Sequence, residues 1–171
     1  MRLRCFDATD GSKDFFSRLS KPPKSRSEFD HATEFILGHF TSSAFLESIL
    51  QYGLIPDTEN SRSTNDRLLC DKSAVYLTTG YDKFYAERAV NSHGGRPIVI
   101  EVLVNRASLA ADENSLNQHD MNACSPDEAL YRSMCFGACK HTESISLDAI
   151  LSISEIDGSV LHEIPTKPNN K

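Results

Sequence analysis

The sequence predicts an α+β fold: a mixed, largely antiparallel sheet with short flanking helices. Apolar runs of strand type outnumber helical patterns, and those runs are short. The two kinds of element also lack the strict alternation that a parallel sheet requires. The chain has 171 residues, 39% hydrophobic and 25% charged, which is the balance of one globular domain. A domain of this length buries roughly two thirds of its unfolded surface, so it needs no disulfide or metal staple.

Taken in order, the first thirty residues mix charge, serine and the pair Pro22-Pro23, and predict an arm or peripheral helix ("SKDFFSRL") over 1–30. The remainder, 31–171, is expected to be the folded domain, its body starting near Thr33. Arg18, Lys21, Lys24 and Arg26 form a basic stretch in this arm. It reads either as a solvated linker or as an arm that touches phosphates or a partner. "EFILGHFT" is a strand, after which Thr41, Ser42 and Ser43 offer hydroxyls to cap a helix. That helix is "SAFLESILQYGLIP", with Phe45, Ile49 and Tyr52 at helical spacing, closed by Gly53 and Pro56. Residues Asp57 to Asp71 are polar and predict a long exposed loop.

"SAVYLTT" is the next strand, and "YDKFYAERAVNSHGG" is a helix stopped by Gly94-Gly95. "RPIVIEVLVN", rich in Ile and Val, is the clearest strand. "SPDEALYRSM" predicts a helix with Ser125 as N-cap, Pro126 in the first turn and acids beside it. "CFGACKHT" and "AILSISEID" are the last strand candidates.

Net charge is −6, which excludes a general electrostatic footprint for nucleic acid. Five cysteines without a CxxC pair read as reduced thiols. No run approaches the ~20 apolar residues of a membrane span, and no signal-peptide core opens the chain. A cytoplasmic protein with no membrane partner is therefore expected. The six histidines show no metal-ligand spacing, so no metal is expected. Walker, Rossmann and nucleophile-elbow motifs are absent.

Three patterns follow one another in order. "GHFTSSAFLESILQYGLIP" has His-x-Thr leaving a strand and Gly-Leu at the helix end. "AVYLTTGYDKFYAERAV" has a strand tyrosine entering a helix, and "PIVIEVLVN" is the strand after it. Together, over about Glu34 to Ile153, they resemble the ADP-ribosyltransferase superfamily in its His–Tyr–Glu branch. DarT-like toxins, poly(ADP-ribose) polymerase catalytic domains and RNA 2′-phosphotransferases belong to this resemblance.

The resemblance implies a split sheet of that type and NAD as co-substrate. It implies mono-ADP-ribosyl transfer to a macromolecular acceptor, protein or nucleic acid, by a toxin or effector acting in a cytosol. His39 would bind a ribose hydroxyl, and Phe40 would offer its backbone N–H and C=O to the nicotinamide amide. Thr41 would add a hydroxyl contact, and Tyr76 would stack on the ring. A glutamate would stabilise the cationic transition state. Its strand position falls near Ala138 to Lys140, which holds no acid. Glu128 is the expected carboxylate, with Glu143 and Glu101 behind it. Without any acid, the resemblance would leave a non-catalytic NAD- or ADP-ribosyl-binding module. A phosphotransferase-like enzyme, using Arg62, Arg67 and Arg88, is the other alternative, although its Arg-x-His-x-His run is missing. The loop from Asp57 to Asp71 is expected to border the pocket and read the acceptor.

Overall fold

The computed structural model describes residues 18–56, 73–80, 82–116, 124–157 and 159–163. Helix α1 spans Arg26–His31 and strand β1 Glu34–Ser42, and a 3₁₀ turn at Ser43–Phe45 leads into α2, Leu46–Tyr52. Then come β2 (Val75–Thr78), α3 (Lys83–His93), β3 (Pro97–Asn105) and β4 (Leu109–Ala110). Helix α4 (Pro126–Cys135), β5 (Ala138–His141), β6 (Ile150–Glu155) and β7 (Val160–Glu163) complete the described elements. Among the described residues seven strands form one sheet, ordered β4-β5-β2-β1-β3-β6-β7. Every pairing in it is antiparallel.

The centre of the sheet is the β1–β3 pair, in register from Glu34↔Asn105 to Ser42↔Pro97. Side chains alternate between faces along each strand, which sorts the core into two. On one face Phe35, Leu37, Ile98, Ile100 and Val102 pack with Phe29 of α1 and with Leu130 and Met134 of α4. On the other, Phe40 and Val99 pack with Ala86 of α3 and with Leu19.

Local signals place the helix ends. The Ser125 hydroxyl accepts from the Glu128 N–H at 3.2 Å, with Pro126 in the first turn of α4. Gly94, at φ 74°, closes α3. Ser42, rather than Thr41, caps the turn after β1, accepting from Ala44 N–H at 3.1 Å. Gly53 closes α2 at φ 78°, and a Cβ there would come within 2.2 Å of the Ile145 carbonyl oxygen. Directly after it, Leu54 and Ile145 exchange backbone hydrogen bonds of 2.9 and 2.8 Å. Gly53→Ala is therefore expected to cost roughly 1–3 kcal/mol, from backbone strain and the lost approach to Ile145. Urea denaturation measures it, and an unchanged midpoint would mean that the turn relaxes freely.

Residues 18–30, expected as part of an arm or peripheral helix, carry the start of helix α1 and contribute to the core. Leu19 is 3% exposed and Phe29 is 0% exposed, so both belong to the core. The Arg18 guanidinium lies 2.5 Å from Glu101, and Arg26 pairs with Asp30, Asp127 and Glu128. Two of the four basic residues are thus spent inside the domain, while Lys21 and Lys24 are exposed. Leu19 and Phe29 are single apolar residues in polar surroundings, with no periodicity to announce burial. β4 and β7 are also additions to the expected elements. β4 has only two residues, and β7 is an edge strand with Val160 exposed. The loop from Asp57 to Asp71, with Arg62 and Arg67, lies outside the described residues.

Candidate functional site

β1 and β2 barely pair: their ladder is limited to Gly38↔Thr78. Ahead of that point the β1 edge is met by another segment. Ser20 N–H donates to the Ile36 carbonyl at 2.7 Å, and Ile36 N–H donates to the Ser20 hydroxyl at 2.9 Å. Backbone polar groups alternate between the two neighbours of an antiparallel strand. Because Ile36 directs its groups away from β3, Gly38 and Phe40 direct theirs to the same edge, toward β2. Continued register would set Phe40 opposite Tyr76. There the Tyr76 carbonyl instead takes the His39 ring, whose Nδ1 lies 2.9 Å away. The result is a seam in the sheet.

That hydrogen bond determines the imidazole tautomer. A carbonyl only accepts, so Nδ1 carries the hydrogen, and Nε2 of the neutral ring is an acceptor. By alternation His39 follows Leu37 onto the α4 side of the sheet, and Thr41 shares that side. Tyr76 sits on the opposite side, with Thr78. The two side chains approach the seam from opposite faces, and their direct contact is imidazole to carbonyl. The Phe40 side chain is only 5% exposed, packed under α3. Its ring lies over Gly38, where an added Cβ would come within 2.7 Å of ring carbon Cε2. What Phe40 turns toward the seam is backbone.

A polar cluster adjoins the seam. Lys140 of β5 stands directly opposite Tyr76 in register. The Tyr76 hydroxyl donates to Glu113 Oε1, and the other oxygen, Oε2, lies 3.1 Å from Lys140 Nζ. The side chains of Lys140 and Glu113 are 16% and 18% exposed, so the ion pair is largely withdrawn from water. Glu113 sits in the turn after β4, and that turn is well tied. Asp112 Oδ1 accepts from Asn114 N–H at 2.8 Å, and Ser115 N–H donates to the Asp112 carbonyl at 3.0 Å. Asp112 N–H donates to the Ser133 hydroxyl, which in turn donates to the Ala138 carbonyl, linking the turn to α4 and β5. Burial pushes the Asp112 carboxyl above its usual range, against the pull of the Asn114 N–H.

The expected carboxylate stands elsewhere. Glu128 accepts from Arg132 Nε at 2.8 Å and from Arg26 Nη1 at 2.9 Å, tying α4 to α1. Those guanidinium groups, Arg132 foremost, hold its carboxyl below the usual range. Its contacts do not include His39 or Tyr76. Glu101 is wholly buried on the face opposite His39, accepting from Arg18 and from the Ser152 hydroxyl at 2.7 Å. Glu143 is exposed in the turn after β5. The acid brought to Tyr76 is Glu113, which the sequence reading passed over. "ADENS" carries a legible Asx-turn signal, but nothing local says that the turn reaches β2.

Lys140 also borders a cavity of about 630 Å³, shared with Leu109, Ala110, Asp127, Ala129 and Leu130. This volume lies within the range of small-molecule sites. His39, Phe40 and Tyr76 do not line it, so it adjoins the Lys140 end of the cluster rather than the seam. Among the described residues, no helix is long and apolar enough to cross a membrane. Comparison with protein-family models, curated proteins and solved structures finds no match to this chain.

Proposed function

We propose that the chain is an NAD-dependent mono-ADP-ribosyltransferase acting on a macromolecular acceptor. The observation that carries this reading is the seam: the His39 ring fixed on the Tyr76 carbonyl, with the Phe40 backbone directed to the same strand edge. NAD is the substrate, and its nicotinamide–ribose bond breaks with both electrons leaving on neutral nicotinamide. Positive charge passes to the ribose, and an acceptor heteroatom supplies a lone pair to that carbon and gives up its proton to solvent. His39 Nε2 accepts from a ribose hydroxyl, a role its fixed tautomer suits. The Phe40 N–H and C=O hold the nicotinamide amide, the Thr41 hydroxyl adds a contact on the His39 side, and the Tyr76 ring stacks. Holding both halves of the bond in one geometry lowers the barrier by orientation.

Incubation with NAD labelled in its adenylate part tests the reading. Label transferred to an acceptor, or nicotinamide released into water, supports it. Binding without either outcome would replace it with a binding module, and no binding would remove it. Tyr76→Ala is expected to weaken NAD binding by about 1–3 kcal/mol, the scale of one lost stacking partner. Tyr76→Phe keeps the ring and should hold affinity near wild type. Titration calorimetry separates the two, and equal losses of affinity would assign the contact to the hydroxyl instead.

A further inference from the structure

We propose that Glu101, Ser152 and Ser154 form a guanidinium-binding pocket on the α3 side of the sheet, held in this structure by the chain's own Arg18. The pocket does not depend on the transferase reading. Glu101 stands opposite Ser152 in register and Val99 opposite Ser154, so the carboxylate and both hydroxyls share one side of β3 and β6. Glu101 and Ser154 are wholly buried, and Ser152 is buried beside them. Leu19, Phe40, Ala86 and Val99 form the apolar core on that side. One guanidinium nitrogen enters. Arg18 Nη2 lies 2.5 Å from Glu101 Oε2 and 3.2 Å from Ser152 Oγ, and the Ser152 hydroxyl itself donates to Oε2 at 2.7 Å.

The acceptors outnumber what Arg18 uses. Glu101 Oε1 and Ser154 Oγ are buried with no hydrogen-bond partner among the described residues. A guanidinium carries five N–H donors in a planar fork and pairs with a carboxylate best through two parallel bonds. Arg18 serves one oxygen only, so its seating is monodentate. A buried carboxylate repays its desolvation only when its remaining lone pairs are satisfied as well. The group this donor set suits is therefore a guanidinium without the tether of Arg18. It would place one nitrogen on each carboxylate oxygen and keep further N–H groups for the serine hydroxyls. An ammonium carries the same charge but lacks the fork. With one carboxylate in the pocket, a ligand from outside replaces Arg18 rather than joining it. The approach is from solvent, since the Arg18 side chain is 52% exposed while the carboxylate it reaches is 0% exposed.

The test is chemical rescue of Arg18→Ala, with N-ethylguanidinium as the probe because it supplies what alanine lacks beyond Cβ. Arg18→Ala is expected to lower Tm by roughly 6–20 °C, the loss of one partner from a buried ion pair. Titration with ethylguanidinium should raise that Tm by roughly 3–6 °C once the probe exceeds its dissociation constant about tenfold. The wild-type protein, whose pocket Arg18 holds, should shift by less than about 1 °C, as should the double variant Arg18→Met with Glu101→Gln. Propylammonium should give a smaller shift in Arg18→Ala. N-acetyl-argininamide separates two sources of the same group. A shift equal to that of ethylguanidinium assigns the pocket to the arginine side chain of a peptide, and no shift assigns it to a small guanidino compound. If Arg18→Ala is unfolded, recovery of native circular dichroism on adding ethylguanidinium supports the pocket, and failure to recover overturns it. No shift with ethylguanidinium, an equal shift with propylammonium, or an equal shift in the double variant would each overturn the assignment.

Discussion

Replacing His39 with alanine is expected to lower NAD turnover by at least roughly 10²–10³-fold, the scale of deleting one preorganised polar group at a developing charge. The imidazole is not free to rotate, because Nδ1–H is held on the Tyr76 carbonyl at 2.9 Å. Its other nitrogen is therefore presented in one direction at no further ordering cost. Alanine removes that acceptor and also releases the carbonyl. The structural cost is small: His39 is half-buried, and a net hydrogen bond contributes about 0.5–1.5 kcal/mol. Thermal unfolding should therefore change by a few degrees at most while nicotinamide release collapses. Near-normal release from a folded His39→Ala protein would sink the transferase reading, because the seam would then do no chemistry.

Phe29→Ala is expected to lower stability by about 3–5 kcal/mol, the range for a large aromatic removed from a core. Phe29 is 0% exposed. Its ring lies 6.1 Å from that of Phe35 and 5.5 Å from that of Tyr131, centroid to centroid. The Arg106 guanidinium lies over it at 5.1 Å, and Arg106 also donates to the Phe29 carbonyl at 2.9 Å. The hole left by alanine would border β1, α4 and the start of the β3–β4 connection, and rigid strands cannot close it. At this chain length the loss corresponds to a fall in Tm of roughly 6–20 °C. Phe29→Leu, which keeps most of the volume, should be much milder. A change below about 0.5 kcal/mol for Phe29→Ala, the range of a surface substitution, would return α1 to the status of a dispensable arm.

Much of the backbone plan is legible in the sequence because it is decided within a few residues. "RPIVIEVLVN" makes a strand through its own β-branched side chains, and Gly53 and Gly94 stop helices because each can take a positive φ. Ser125 caps α4 through a partner three residues away. The same locality explains why His39 and Phe40 could be singled out, since the His-x-Thr pattern and its strand are contiguous.

The acid beside Tyr76 could not be found that way. Glu113 reaches Tyr76, 37 positions earlier in the chain, and Glu128 is claimed by Arg26, 102 positions away. A carboxylate is drawn to whichever cation packing brings within a few ångströms, and that choice is made only when α1 docks on α4 and the β4 turn folds over β5. Leu19, Phe29 and Arg18 follow the same rule. Their composition reads as a solvated tail, and only the sheet faces they cover make them core. By itself the sequence determined which segments are strands and helices and where they stop, through short-range backbone preferences. The tertiary structure decided the strand order, the seam between β1 and β2, and which acid stands beside Tyr76, because each depends on contacts between residues distant in the chain.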